Sequence, residues 1–241
     1  MSSEKLLPWA KPLLISSTLT QATIYVLRPM ITYRALELDA NAAQIGLIAS
    51  VYALFPVVLA LHFGKWVGRM GEAKFIIYGT LAMLVTSAAL MFADSITLLA
   101  LAAGAAGLAH LACMVGGQSM VALRAPRESY DRYFGFYTFS ASVGHMLGPI
   151  FAAIVAGSNG NLPRSTSNAF LLGVVLTILA IFPVIRWRNE RPTVVAQQSS
   201  EGTFKTAIHL VKRPGILAAI YISLAISSAA DVLVVFLPLF G

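Results

Sequence analysis

Gly64-Lys65-Trp66-Val67-Gly68-Arg69-Met70-Gly71-Glu72-Ala73-Lys74 separates two long apolar runs, Ala43–Phe63 and Phe75–Ala93. A helical run of about 20 apolar residues is long enough to cross the ~30 Å hydrocarbon core of a bilayer. A short basic connection between two such runs returns the chain to the membrane at once, so the two helices are antiparallel neighbours. Gly64, Gly68 and Gly71 predict a tight turn with positive φ angles and close backbone approach. Lys65, Arg69 and Lys74 hold that turn at the cytoplasmic surface, where basic residues are retained.

Composition extends this reading to the whole chain. Of 241 residues, 58% are hydrophobic and 11% charged. Soluble domains carry about 25% charged residues, so this is a membrane protein. The net charge of +7 does not point to nucleic acid, because the basic residues lie in short connections between apolar spans. Anionic headgroups and the lipid bilayer are the partners this distribution fits. The single cysteine, Cys113, forms no intrachain disulfide and reads as a small packing residue. The run after Lys11 ends in Tyr25-Val26-Leu27-Arg28 without a small-residue cleavage site, so it is a retained first span rather than a signal peptide.

Hydropathy predicts seven spans, at 12–30, 43–63, 75–93, 96–123, 133–156, 168–185 and 216–240. With the N-terminus cytoplasmic, segments 1–11, 64–74, 124–132 and 186–215 lie inside and hold 14 of the 17 Lys and Arg residues. Arg28, Arg34 and Arg164 fall on the other side. That asymmetry predicts a cytoplasmic N-terminus. Residues 1–185 form a six-helix unit and 186–215 a cytoplasmic linker. In the linker, Phe204, Ile208 and Val211 fall on one side of a short amphipathic helix. Residues 216–241 open a further bundle.

Polar residues inside the spans mark the candidate site. Thr18, Gln21, Tyr25 and Arg28 recur at spacings of 3, 4 and 3, on one face of the first helix. Such a face belongs inside a bundle or against a wet cavity, because lipid offers it no partners. Pro29 releases the Tyr25 carbonyl, and Pro56 that of Tyr52. The fourth span is rich in Gly and Ala, with His110 and Gln118 as polar exceptions. In the fifth, Ala141, Gly144, Gly148 and Ala152 form a small-residue stripe that suits a close helix crossing, and Pro149 predicts a bend. Asp231, in the seventh span, costs about 2.5–3.5 kcal/mol at mid-membrane and needs a partner or water. No metal-ligand spacing, catalytic motif or Gly-x4-Gly-Lys-Ser/Thr phosphate loop is present. An intramembrane enzyme and a nucleotide-driven pump are therefore disfavoured, and no cofactor is expected beyond a coupled proton.

Six spans, a basic linker and a new span resemble the major facilitator superfamily, whose two six-helix halves enclose a central cavity. Gly64-x3-Gly68-Arg69-x-Gly71-x2-Lys74 is similar to that family's loop motif between helices two and three. Gly68 stands where the motif has aspartate, and Glu72 where it has a basic residue. Gly135-x8-Gly144-x3-Gly148-Pro149 resembles the antiporter motif of the fifth helix, with Ala152-Ala153 in place of its last two glycines. The buried arginine of the proton-coupled drug antiporters would fall near Ala103, which departs from that pattern.

The resemblance implies an all-α major-facilitator-type bundle and a secondary transporter of a small organic or drug-like solute in the inner membrane. It also implies that Gln21, Tyr25, Arg28, His110 and Asp231 line the solute pathway. Gly64, Gly68, Arg69, Gly71, Lys74, Gly135, Gly144, Gly148 and Pro149 then carry the conformational change. A chain stopping at Gly241 implies a missing C-terminal half, and an alternative reading as a fragment without transport activity of its own.

Overall fold

The computed structural model describes residues 6–159, 162–163, 165–190, 215–218, 220–222, 224–225 and 229. The chain divides into two units, Met1–Thr193 and Val194–Gly241. The first is a bundle of six long helices: α1 (Ala10–Glu37), α2 (Ala42–Met70), α3 (Glu72–Met91), α4 (Ile96–Arg124), α5 (Tyr130–Ala156) and α6 (Thr166–Val184). A two-residue antiparallel ladder, Ser158–Asn159 with Leu162–Pro163, lies between α5 and α6. In the second unit, positions 216–218, 220–222 and 224–225 are helical. Asp231 and the amphipathic segment around Phe204, Ile208 and Val211 lie outside the described residues.

The first six of the seven expected spans reappear as six helices, several of them longer than hydropathy predicts. Among the described residues, five helices are apolar enough to cross a bilayer by length and composition, and α1 is not one of them. Its 28 residues are ample in length, but they carry too many polar side chains. The reason is its position. α1 packs against α5 and α6, and also against α4, so protein rather than lipid surrounds it. Ser16, Ser17, Thr20, Gln21, Thr23 and Thr32 are all buried there. Thr20 and Thr23 donate to the carbonyls of Ser16 and Leu19 one turn back, at 2.9 Å each. Such back-bonding satisfies a hydroxyl without an outside partner.

The opening stretch needs correction. The second helix does not end at Phe63 but runs on to Met70, and α3 begins at Glu72. The connection is one residue, Gly71, whose φ of 86° requires glycine. Gly64 and Gly68 are helical, and a Cβ on either would meet nothing within 4 Å. They provide neither a turn nor a close approach. Lys65 and Arg69 are exposed on the last helical turns, so the charged residues prolong the helix past the apolar run. Likewise α1 passes through Pro29 and ends at Glu37, with Arg34 inside it. Asn41 then caps α2, accepting from the Gln44 amide while the Gln44 side chain returns the bond, 2.9 Å each way.

Small residues set the crossings. A Cβ on Gly144 would lie 2.8 Å from Gln21 Cβ and 2.9 Å from the Ala22 nitrogen. On Gly148 it would lie 2.7 Å from both the Ala22 oxygen and Tyr25 Cβ. The stripe Ala141, Gly144, Gly148 and Ala152 is buried along its length and seats α5 on α1. Gly135 does not belong to this contact, since it is exposed with open space around it. Pro149 is exposed too, and α5 continues through it. On the other side of the bundle, Gly107 of α4 lies against the Tyr52 carbonyl that Pro56 releases. A Cβ on Gly107 would also come within 3.3 Å of Pro56 Cγ.

Candidate functional site

The polar face of α1 meets α2, α4 and α5 near the middle of each helix. Gln21 is 2% exposed, and its carboxamide is the hub. Its oxygen lies 3.0 Å from His110 Nε2 of α4 and 3.1 Å from His145 Nε2 of α5. Its nitrogen donates to Met114 Sδ, one turn beyond His110. His110 Nδ1 is 3.2 Å from the Tyr52 hydroxyl of α2. Tyr25 stacks on the His145 ring with centroids 4.1 Å apart. The Arg28 guanidinium lies 5.1 Å from the centre of the Tyr52 ring, within cation–π range.

This arrangement follows from the local sequence. The 3,4,3 spacing delivers Gln21, Tyr25 and Arg28 to one face of α1. Gly144 and Gly148 bring α5 close enough for His145, next to Gly144, to reach both Gln21 and Tyr25. The Thr18 hydroxyl fixes the same crossing by donating to the Ser140 carbonyl at 3.0 Å. Beside Gln21, Ser17, Thr80, Cys113 and Tyr137 help to line a cavity of about 10 Å³. That is roughly the room one water molecule needs.

Four of the five side chains proposed from sequence for the solute pathway therefore come together: Gln21, Tyr25, Arg28 and His110. The fifth, Asp231, is outside the described residues. Gln118 is exposed and not part of the group. His145 and Tyr52 are members that the sequence reading did not single out for it. A signal was present. Pro29, Pro56 and Pro149 each follow, by four residues, one of the three rings Tyr25, Tyr52 and His145. Each proline releases the carbonyl of that ring residue, so three helices lose a hydrogen bond where they meet the cluster.

A second polar group joins helix ends instead of helix middles. Glu72, at the start of α3, is 1% exposed. Arg124, closing α4, donates from Nε to Glu72 at 2.8 Å and from NH2 to Glu190 at 2.6 Å, beyond α6. Its guanidinium also lies over buried Trp187, 5.9 Å from the ring centre. Glu72, read from sequence as a departure from a basic loop, is thus the buried partner of an arginine. At the opposite end, Arg34 pairs with Glu37 at 3.0 Å and donates to Ser167 Oγ at 2.7 Å, while Thr166 donates to Glu37 at 2.8 Å. These contacts tie α1 to α6.

Comparison with known proteins places this architecture. The sequence pattern of the Major Facilitator Superfamily matches residues 13–241. Multidrug resistance protein 1 of Bacillus subtilis is 23% identical over 146 residues, covering 60% of this chain and 38% of that protein. Multidrug resistance protein MdtG of Salmonella arizonae is 24% identical over 152 residues, covering 61% of this chain and 38% of that protein. Among solved structures, a bacterial homolog of the human lysosomal transporter Spinster, inward-facing and unoccupied, superposes with a TM-score of 0.71. It is 17% identical, and the match covers 98% of this chain and 56% of that one. The inward-facing occupied form gives a TM-score of 0.63 at 18% identity, over 78% of this chain and 46% of that one. The chain spans well under half the length of the curated relatives and just over half of the Spinster homolog. On a pattern that matches nearly its full length, and with the helical bundle that goes with it, this chain is an integral membrane protein and belongs to the Major Facilitator Superfamily.

Proposed function

We propose that the protein containing this chain is a secondary transporter that moves a small organic, drug-like solute across the cytoplasmic membrane by alternating access. The observation that carries the reading is the Gln21 carboxamide, which is buried at mid-bundle and takes hydrogen bonds from two imidazoles on two other helices. Polar side chains at that depth are costly in a membrane and mark solute or ion pathways. In transporters built from helical repeats, binding sites lie near the bilayer midplane. Gln21, Tyr25, Arg28 and His110 are the pathway residues, and Tyr52 and His145 join them. Asp231, outside the described residues, is the further pathway candidate from the seventh span. The N-terminus is cytoplasmic on the charge asymmetry of the connections. The names of the multidrug relatives favour efflux of drug-like molecules.

Reconstituting the product of the complete coding sequence in proteoliposomes tests this. A solute screen yields a transported compound, and Gln21→Leu or Arg28→Ala lowers its flux at least about tenfold, the equivalent of ~1.4 kcal/mol. Unchanged flux in both variants contradicts the assignment of the site.

A further inference from the structure

The Gln21 carboxamide has a donor end and an acceptor end, and its neighbours decide which is which. One end faces Met114 Sδ. A thioether offers lone pairs and no proton, so the end facing it is the NH2 group. Oxygen there would set two acceptors against each other. The other end is then the carbonyl oxygen, and both His110 Nε2 and His145 Nε2 point at it. A carbonyl oxygen only accepts. Both imidazoles must therefore carry a proton on Nε2. For neutral His110, the remaining nitrogen, Nδ1, accepts from the Tyr52 hydroxyl at 3.2 Å. His145 differs. Among the described residues its Nδ1 makes no hydrogen bond, and its ring is partly exposed beside Tyr25.

We propose that Gln21 is a positioning residue that fixes the tautomers of His110 and His145 and so presents His145 Nδ1 as a bare lone pair, which receives an O–H or N–H group of an aromatic solute. The stacked rings of Tyr25 and His145 supply a flat apolar surface for the body of such a solute. A solute of the same shape without a donor leaves that lone pair buried and unsatisfied, the kind of penalty that gives polar recognition its selectivity. This inference rests on the transport reading for its meaning, but the tautomers stand or fall independently of any flux.

Nitrogen NMR of histidine-labelled full chain in lipid nanodiscs tests it, at mildly alkaline pH. The chain has four histidines, and single His→Gln variants assign them. His110 and His145 each show a protonated Nε2 and a bare Nδ1. Gln21→Leu mixes the tautomers of both rings, whereas Gln21→Glu, which keeps an acceptor in place, preserves Nε2–H. Phenol then shifts the Nδ1 resonance of wild-type His145, and anisole, the same ring without a donor, does not. A protonated Nδ1 on His145 in the wild type overturns the tautomer assignment. An equal response to phenol and anisole, or none to either, overturns the solute class. Flux in the proteoliposome assay reports separately on transport itself.

Discussion

Helices α1 and α2 invert the rule that apolar residues are inside. The best membrane window of α2, Ala42–Ala60, has a mean hydropathy of 2.0, yet only 11% of it is buried in the bundle. Leu47, Leu54 and Val57 are 58%, 58% and 71% exposed. α1 fails the hydropathy test, yet Thr23, Ile24, Val26 and Leu27 are wholly enclosed. In a bilayer, apolarity is what the outer surface requires, and it drives no helix inward. Polar side chains find partners only within the protein, so the most polar helix sits where neighbours are densest. The contrast explains why the candidate site hangs on α1, while α2 reaches it through Tyr52.

The comparison can be broken at the glycines. Gly144→Val should cost about 3 kcal/mol or more, because the added methyls meet the backbone of α1 and the two helices cannot separate without losing the Gln21 contacts. Thermal unfolding in nanodiscs measures this. Gly68→Ala, in the open last turns of α2, should instead stabilise by about 0.5–1 kcal/mol, the ordinary gain of alanine over glycine in a helix. Equal losses in the two variants would mean that α2 is enclosed as α1 is. Val57→Ala should change stability by less than about 0.5 kcal/mol, as expected of a surface position. A larger loss would place that face of α2 against protein.

Much of the bundle was legible before the structure. Apolar length locates five of the six helices, because a bilayer sets their span, and α1 passes that test poorly because of its polar side chains. Their ends were less legible: hydropathy falls at Gly64, but Lys65-Trp66-Val67-Gly68-Arg69 carries the helix on, and only Gly71 breaks it. The 3,4,3 spacing of Thr18, Gln21, Tyr25 and Arg28 shows a polar face, since helical periodicity is local information. What that face touches is not local. His145 hides inside a stripe that reads as packing, and only the proline four residues after it, as after Tyr25 and Tyr52, hints that it joins Gln21. Glu72 is similar. Its partner Arg124 is 52 residues away and becomes visible only once α3 and α4 are side by side.

A double-mutant cycle between Gln21 and His145 tests most directly the claim that the polar face of α1 is held by its neighbours through this carboxamide. Unfolding free energies of wild type, Gln21→Leu, His145→Leu and the double variant, all in the same nanodiscs, give the coupling. The account predicts that the double variant is less destabilised than the sum of the singles by about 1 kcal/mol, as expected for hydrogen-bonded partners within a membrane bundle. Additivity to within about 0.3 kcal/mol would contradict it.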